Sequence, residues 1–456
     1  MLTAVASALA TFLVTVLAIV ALRPVALAVE LVDRPGGRKT HTGNVPIVGG
    51  LAMFLGIVVG IGLLPLPVLS TAPFLAACGL LVTVGLFDDR FELSPWLRLP
   101  VQMSAATVLV YSGTVVTTLG APFGQAAEIY LEGAGSIAFT MLIVIASINA
   151  FNMLDGMDGL AGATAVVAIG AIAAMAGVYG AWSVAAAALV FAGAIAAFLI
   201  FNLPTQLNRK IRCFMGDAGS TLLGFGVAWL CLRITQEPLR AVAPVTVLWV
   251  VALPLYELLW TTIRRILRGA SPLRPDSDHF HHLLLRAGFG VRGAFTVYIG
   301  LAVLLALAGT AIELLDMPDW FSALMLLAGG VAVVQLMHHA EILWKILPDV
   351  LRRLPLARGR ARAAGGAGGA AGRAVAPGPD PPFGRSHQEL FSPSARGTSS
   401  SGVLSVSSSF PGASLSEISR RLTVLRWTTS SGSAMTSRTR RGSFAGAVLQ
   451  KCNEIA

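Results

Sequence analysis

Hydrophobic positions in this chain form long unbroken runs, separated by short polar segments. Most of the runs approach the roughly 20 residues that a helix needs to cross a bilayer. The pattern therefore predicts an all-α, polytopic membrane protein with about eleven transmembrane helices. The runs cover residues 2–22, 46–66, 71–87, 99–119, 135–150, 159–178, 182–201, 217–235, 241–263, 293–315 and 320–346.

The first run has no basic segment before it and is longer than the apolar part of a secretory signal, so we expect a retained helix. Eleven spans would place the two termini on opposite sides of the membrane. The loops after odd-numbered helices hold fifteen Lys and Arg residues, whereas the opposite side holds only Arg233 and Arg240. Since positive charge accumulates on the inner side, we expect a periplasmic N-terminus and a cytoplasmic C-terminus.

The composition agrees with this architecture and explains the net charge. Hydrophobic residues make up 55% of the chain and charged residues 12%, with a mean hydropathy of +0.75, as in polytopic membrane proteins. The formal net charge is +10, but residues 1–350 carry −1 and residues 351–456 carry +11. We therefore expect no nucleic-acid partner. The four cysteines lack the spacing of a disulfide framework or a thiolate metal site.

Two parts follow from this distribution. Residues 1–350 are predicted to form the transmembrane domain, with the functional site on its cytoplasmic loops. Residues 351–456 are rich in Gly, Ala and Pro and then in Ser, Thr and Arg, with too few large apolar residues for a core, so we expect a disordered tail. We favour a solvated extension, and a basic arm on anionic lipid headgroups is the alternative.

The polar clusters fall on one predicted side of the membrane. A channel would instead line a path through several depths of the bilayer. Clusters on the cytoplasmic face suit a site where a water-soluble substrate meets a lipid. They occupy residues 33–50, 86–102, 149–160, 208–220 and 271–289.

Asp88 and Asp89 end a predicted helix, where the last carbonyl groups already carry partial negative charge. Each carboxylate there costs about 0.3–1 kcal/mol. A cationic group should compensate for them, either a ligand or simply Arg90 or Arg98 at the headgroup level. The pair is therefore a candidate for the site, with a structural ion pair as the alternative.

The stretch SINAFNMLDGMDGL spaces four oxygen-bearing side chains three residues apart. Asn149, Asn152 and Asp155 share an arc of about 120° on an ideal helix, while Asp158 drifts to about 180°. Glycines beside Asp155 and Asp158 indicate that the helix loosens there, which would let Asp158 turn back to the same pocket. Hard oxygen ligands suit Mg²⁺, which usually takes one or two of them from a protein, so others should bind substrate. The alternative is interhelical hydrogen bonding.

Two further clusters add an acid and several cations. Asp217 in GDAGS begins a predicted helix, whose amide groups attract phosphate, although Asp217 could also be an ordinary N-cap. In HFHHL, His279, His281 and His282 suit phosphate contact or proton handling. A transition-metal site or a solvated loop are the alternatives for these histidines. Nearby or converging cationic residues are Arg274, Arg38, Lys39 and His41.

Together, five carboxylates face Arg, Lys and His side chains at a membrane surface. This mixture suits metal-assisted phosphoryl transfer, in which Mg²⁺ and cationic side chains neutralise a diphosphate and positioning supplies most of the acceleration. The five are Asp88, Asp89, Asp155, Asp158 and Asp217.

These motifs, in their order between hydrophobic helices, resemble the polyprenyl-phosphate N-acetylhexosamine-1-phosphate transferases. Within that family they resemble the enzymes that start O-antigen, enterobacterial common antigen or teichoic acid linkage units. The resemblance covers about residues 1–350 and has no counterpart for the tail. The motifs are DRPGGRKTHTGNVPIVGG, DD, NAFNMLDGMDGLAG, GDAGS and RPDSDHFHHLLLRAGF.

The resemblance implies a reaction in the bacterial inner membrane, in which UDP-N-acetylglucosamine and undecaprenyl phosphate give undecaprenyl-diphospho-N-acetylglucosamine and UMP. It implies Mg²⁺ as cofactor, with Mn²⁺ as the substitute, held by Asn152 and Asp217. Asp88 or Asp89 would orient or deprotonate the lipid phosphate. The histidines of HFHH would meet the phosphates or the sugar. The remaining nucleotide and substrate residues would be Asn149, Asp155, Asp158, Lys39 and Arg274.

Several alternatives remain at this point. The related MurNAc-pentapeptide transferases carry three consecutive histidines, whereas Phe280 interrupts the run here, which favours a simple amino sugar. N-Acetylgalactosamine or a deoxy amino sugar is the alternative substrate. A transporter is the non-enzyme alternative, but it predicts mid-membrane polar residues and inverted repeats, and Glu257 is the main acid within a span. A membrane-anchored scaffold would not need five motifs on one face. A homodimer is compatible with the sequence.

Overall fold

The computed structural model describes residues 2–33, 44–124, 128–204, 211–236, 238–269, 271 and 279–353, without the side chains of 68–70 and 340–353. The structure is almost entirely helical. In chain order the elements are α1 Leu2–Ala28, β1 Val32–Asp33, β2 Val45–Pro46, α2 Gly49–Leu63, α3 Val68–Phe91, α4 Pro95–Tyr111, α5 Gly133–Leu154, α6 Leu160–Val178, α7 Trp182–Asn202, α8 Gly216–Thr235, α9 Pro244–Val250, α10 Ala252–Leu267, α11 Phe280–Arg286, α12 Val291–Leu314 and α13 Asp319–Arg353.

Each of the eleven predicted apolar runs overlaps at least one helix, although the run at 99–119 extends past the end of α4, and the protein is an all-α, multi-pass membrane protein. Within the described residues, eight helices are long and apolar enough to cross a membrane, or nine if α9 and α10 form one broken span. Helices α2, with 15 residues, and α4, with 17, are shorter. The count of eleven spans therefore stays a prediction.

The run at 241–263 does not form the single continuous helix that the sequence predicts. Helices α9 and α10 meet at an angle of 81° around Val251. Pro254 lies in the first turn of α10, and its missing N–H removes the hydrogen bond that the carbonyl group of Val250 would accept in a continuous helix. The bend turns α10 away from the direction of α9.

Loops that follow odd-numbered predicted spans contact one another at one end of the bundle, which we call the site end. Phe214, before α8, accepts a hydrogen bond from the Gly49 N–H at 2.9 Å and donates one to Pro46 at 2.9 Å. The loop between α5 and α6 contacts the last residue of α7, since the Gly159 N–H donates to the Asn202 side chain.

The remaining loops contact one another at the opposite end. Gln236, just after α8, accepts hydrogen bonds from the N–H groups of Thr117 and Thr118 at 2.9 and 3.1 Å. Asp319, which begins α13, accepts one from the Ala121 N–H at 2.8 Å. This alternation is what a chain crossing the bundle at every predicted run produces. Which end faces the cytoplasm stays a prediction.

Helix α8 is the centre of the bundle, since 94% of the residues in its apolar 18-residue stretch are buried, against 22% in that of α1. Small residues allow its neighbours to approach closely, as in other membrane helix packing. A Cβ built on Gly50 of α2 or Gly85 of α3 would overlap the backbone of Ala218 and, for Gly50, that of Gly219. The N-terminus of α8 is thereby fixed at the site end.

Candidate active site

Asp89 anchors the N-terminus of α8. One carboxylate oxygen accepts the Asp217 N–H at 2.7 Å and the other accepts the Ala218 N–H at 3.3 Å. The first amide groups of a helix lack partners within the helix and favour a negative charge. The α8 segment thus receives its cap from the end of α3, and Asp217 is held beside Asp89.

Asn152, in the last turn of α5, contacts Asp217 directly. Its side-chain amide donates to the carboxylate of Asp217, and to the hydroxyl group of Ser220 at 2.9 Å. The side chain of Asp217 is 30% exposed, so the pair lies at a surface that a ligand can reach. The structure therefore brings together the two residues that the sequence analysis assigned to the metal.

Asp88 and Asp217 share one cation. The Arg98 guanidinium group is 3.0 Å from the carboxylate of Asp88 and 3.6 Å from that of Asp217. The second Asp88 oxygen accepts the Leu93 N–H at 2.7 Å, which stabilises the turn after α3. Asp88 is buried. The sequence analysis named Arg98 only as a possible structural ion-pair partner of the two aspartates, not as part of the site.

The segment after α5 loosens as the sequence predicts. Helix α5 ends at Leu154, and Gly159 adopts a φ of +76°, which glycine tolerates without strain. Asp158 forms its ion pair with Arg212, and the described contacts do not place it beside Asp217. Asp155, the residue after α5, has an accessible side chain and joins the carboxylate cluster, because desolvation by surrounding atoms and the charges of Asp217 and Asp89 hold its pKa well above the usual range.

Asn149 does not join this cluster in the structure. Its side-chain amide donates to Gln102 of α4 at 2.8 Å and to the Ile145 carbonyl group at 2.8 Å. These are the interhelical hydrogen bonds that the sequence analysis gave as the alternative. Its assignment to substrate binding stays a prediction without support from these contacts.

The three histidines lie at the start of α11, and they differ in exposure. His281 is fully buried and His279 is 8% exposed, whereas His282 is half-buried. Burial lowers the pKa of His281 to about 4, against the opposing effect of Glu257, so its imidazole is neutral at physiological pH. His281 therefore does not present a surface to substrate in this structure.

Comparison with known proteins agrees with this geometry. The glycosyl transferase family 4 model matches residues 71–235. An undecaprenyl-phosphate alpha-N-acetylglucosaminyl 1-phosphate transferase of Escherichia coli O157:H7 is 37% identical over 350 residues, covering 76% of this chain and 95% of the relative. The chain belongs to glycosyl transferase family 4.

Two further relatives of the same name support this membership. The Salmonella typhi protein is 37% identical over 356 residues, covering 78% of this chain and 96% of the relative. The Yersinia pestis protein is 38% identical over 309 residues, covering 67% and 84%. As a family member, the chain is a phosphoglycosyl transferase, and the expectation of an enzyme is confirmed.

One pair of side chains in the site, Asn152 and Asp217, has oxygen atoms of the kind that Mg²⁺ prefers. The described residues contain no group of three or more His, Cys, Asp and Glu side chains arranged for a metal. Mg²⁺ needs only one or two protein ligands and keeps water and phosphate oxygens in its other positions. Asp217 and Asn152 meet that requirement by residue type, since the Asn152 side-chain N–H donates to Asp217, both side chains are partly exposed and each carries a hard oxygen.

Four cationic candidates from the sequence lie outside the described residues, namely Arg38, Lys39, His41 and Arg274. Their roles stay predictions. Conversely, the structure adds side chains that the sequence analysis did not place in the site. Asn202 accepts the Gly159 N–H at 2.6 Å and donates to the Cys213 carbonyl group at 3.0 Å. A buried Asn in an apolar helix was the available signal, and nothing in its spacing indicated these partners.

Proposed function

We propose that this protein transfers N-acetylglucosamine 1-phosphate from UDP-N-acetylglucosamine to undecaprenyl phosphate, giving undecaprenyl-diphospho-N-acetylglucosamine and UMP. The observation that carries the proposal is the contact of Asn152 with Asp217 beside the Asp88–Arg98 pair, at one end of a membrane bundle. Relatives that are 37% identical are named as undecaprenyl-phosphate alpha-N-acetylglucosaminyl 1-phosphate transferases, which supports the same transfer here.

In the proposed reaction, an oxygen of the lipid phosphate attacks the β-phosphorus of the UDP-sugar. The bond between that phosphorus and the bridging oxygen breaks, and UMP leaves with the electron pair. The acceptor is already an anionic nucleophile, so no covalent enzyme intermediate is required. Positioning and charge neutralisation supply most of the acceleration in such transfers.

The carboxylates of the site are proposed to have different roles. Asp88, beside Arg98, orients the lipid phosphate or takes its remaining proton. Asp89 fixes the N-terminus of α8, which keeps Asp217 in place. Asn152 and Asp217 would hold Mg²⁺, with Mn²⁺ as a substitute, and the cation would neutralise charge on the diphosphate when bound.

The nucleotide and sugar would occupy the side of the site formed by the loop at 155–159 and the start of α11. Asp155 is exposed there and Asp158 is held by Arg212. Of the three histidines at the start of α11, His282 is the half-buried one and His279 keeps 8% exposure. Lys39 and Arg274 are proposed to add positive charge from their loops.

The protein is proposed to act in the bacterial inner membrane with its site end facing the cytoplasm, where UDP-sugars are available. Its product would begin a cell-surface polysaccharide such as O-antigen. The positive charges on the predicted inner loops support this orientation.

Release of UMP by the purified protein tests the proposal. Detergent-solubilised protein is given undecaprenyl phosphate, Mg²⁺ and a panel of UDP-sugars, and product is also followed as butanol-extractable lipid. We expect metal-dependent release with UDP-N-acetylglucosamine, which Asp217→Asn abolishes. Asp319→Asn is the matched control, because Asp319 also begins a helix but lies at the opposite end. Release only with another UDP-sugar, or none with any, would contradict the proposal.

A labelled UDP-sugar without lipid acceptor tests the direct attack. We expect no label on the protein after rapid denaturation. An aspartate that carries the labelled sugar phosphate, with release of UMP, would replace direct attack by a two-step mechanism.

A further inference from the structure

Glu257 of α10 is a carboxylate buried inside the protein, with 1% exposure. One oxygen accepts the Phe280 N–H at 3.0 Å and the other accepts the Tyr298 hydroxyl hydrogen at 2.9 Å. An acid in an apolar segment is expensive and usually has a function. Its partners show where it acts, since Phe280 is the first residue of α11, between the histidines.

The same carboxylate faces two imidazoles. Nδ1 of His279 lies 3.4 Å from the Glu257 oxygen, and Nδ1 of His281 lies 3.8 Å from it. The ring of His281 then packs on that of His282, with centroids 4.2 Å apart. Glu257, His281 and His282 thus form successive layers, from the fully buried carboxylate to a half-buried imidazole.

The histidine layers end against the loop at 155–159. A Cβ built on Gly156 would lie 2.9 Å from Nε2 of His281 and 3.7 Å from Nε2 of His282. Only a residue without a side chain permits this approach. The loop continues into Asp158, which the proposed function places on the nucleotide side.

We infer that Glu257 and His281 are positioning residues that hold His282 against the loop at 155–159 and do not contact substrate themselves. The inference rests on the proposed function and assigns different roles to the three histidines. The fully buried imidazole of His281 cannot reach a ligand without rearrangement. It can instead fix the orientation of the His282 ring, which packs against it. The Glu257 carboxylate in turn positions the rings of His279 and His281. It is itself held by the Phe280 N–H and the Tyr298 hydroxyl group.

A double-mutant cycle with UMP release as readout tests this inference. We expect Glu257→Gln and His281→Asn each to lower kcat about 30-fold, with KM for both substrates within about threefold, and His282→Asn to lower it at least as much. If both residues act through His282, adding either change to His282→Asn should cost less than about threefold more. Multiplicative losses would overturn the inference, because a general loss of folded protein acts equally in both backgrounds.

Two control variants separate positioning from stability. Tyr298→Phe removes a hydrogen bond from the same carboxylate but leaves the histidine-facing oxygen in place. Glu313→Gln makes the same substitution as Glu257→Gln at a partly buried carboxylate of the opposite end, which accepts the Ala243 N–H at 3.2 Å. We expect kcat within about threefold of the unmodified protein for both. A loss as large as that of Glu257→Gln in both controls would overturn the inference.

Histidine modification by diethyl pyrocarbonate, mapped by mass spectrometry, tests the placement independently of turnover. We expect His282 to react and His281 to be protected, with His281 becoming at least about fivefold more reactive in Glu257→Gln but not in Glu313→Gln. Unchanged protection of His281 in Glu257→Gln would overturn the inference. Absence of UMP release from the unmodified protein would instead contradict the proposed function, and this measurement would still decide the placement.

Discussion

Asp88 and Asp89 are neighbours in the chain, yet their side chains have different partners. Asp89 accepts two amide hydrogens at the N-terminus of α8, whereas Asp88 pairs with Arg98. Asp217 donates its N–H to Asp89, and its carboxylate shares the Arg98 guanidinium group with Asp88. At the scale of residues, the site therefore combines one carboxylate that caps α8 with two that share one guanidinium group.

Asp89→Asn and Asp217→Asn should differ in stability although both lower activity. Asn in place of Asp89 turns an NH₂ group toward one α8 amide and leaves that N–H without its acceptor, which costs about 1–3 kcal/mol, so Asp89→Asn should lower the midpoint of thermal unfolding in detergent. Asp217→Asn removes repulsion within the carboxylate cluster, so its midpoint should be unchanged or higher. Thermal scans without Mg²⁺ check this, and a lower midpoint for Asp217→Asn would contradict it.

Arg98→Gln should leave the carboxylates of Asp88 and Asp217 without their shared cation. Between the limits for exposed and buried pairs, we expect a loss of about 1–3 kcal/mol in stability. UMP release should fall, and the Mg²⁺ concentration for half-maximal activity should also fall, because the site becomes more negative. Arg90→Gln is the control, since its pair with Glu30 is exposed and 3.9 Å long. A higher Mg²⁺ requirement in Arg98→Gln would contradict the prediction.

At the scale of elements, α8 positions the site because glycines let α2 and α3 approach it. The sequence predicted the helices and the GDAGS motif at the start of α8. It did not indicate that Asp89 would cap α8, because a contact across 128 residues depends on how α3 and α8 pack. The bend before α10 is a second case, in which the apolar pattern continued through Pro254 but the hydrogen bonding did not.

Gly85→Ala should displace the N-terminus of α8 and with it Asp217. The added Cβ overlaps the backbone of Ala218, and overpacking costs about 1–3 kcal/mol. We expect a lower unfolding midpoint and loss of UMP release. In the control Gly170→Ala the Cβ meets open space. The free energy of unfolding should therefore stay the same or rise by up to about 1 kcal/mol. Equal effects at both positions would contradict this account of the packing.

At the scale of the whole molecule, the loops alternate between two ends, and the site occupies one of them. The residues assigned from sequence to metal and lipid phosphate do meet there, through Asn152, Asp217 and Asp88. Asn149 does not meet them, because its amide bonds to Gln102 of a neighbouring helix. The expected tail at 351–456 lies outside the described residues from 354 onwards.

Cysteine labelling should establish the orientation of the bundle. Phe123, 90% exposed at the opposite end, and Arg268, exposed at the site end, are replaced by Cys in a Cys452→Ser background. Cys78, Cys213 and Cys231 are buried. A membrane-impermeant maleimide should label Phe123→Cys in intact spheroplasts and Arg268→Cys only in inverted vesicles. The reverse pattern would show that the N-terminus is cytoplasmic.

The sequence by itself determined that the chain folds into apolar helices with polar motifs clustered between alternate spans, and it predicted the chemistry-bearing residues. These properties are local, since apolar run length and residue type do not depend on neighbours in space. Only the tertiary structure decided which side chains meet, such as Asp89 with the amides of α8 and Glu257 with His279 and His281. Such contacts join helices far apart in the chain, and their geometry follows from close packing, which no spacing in the sequence encodes.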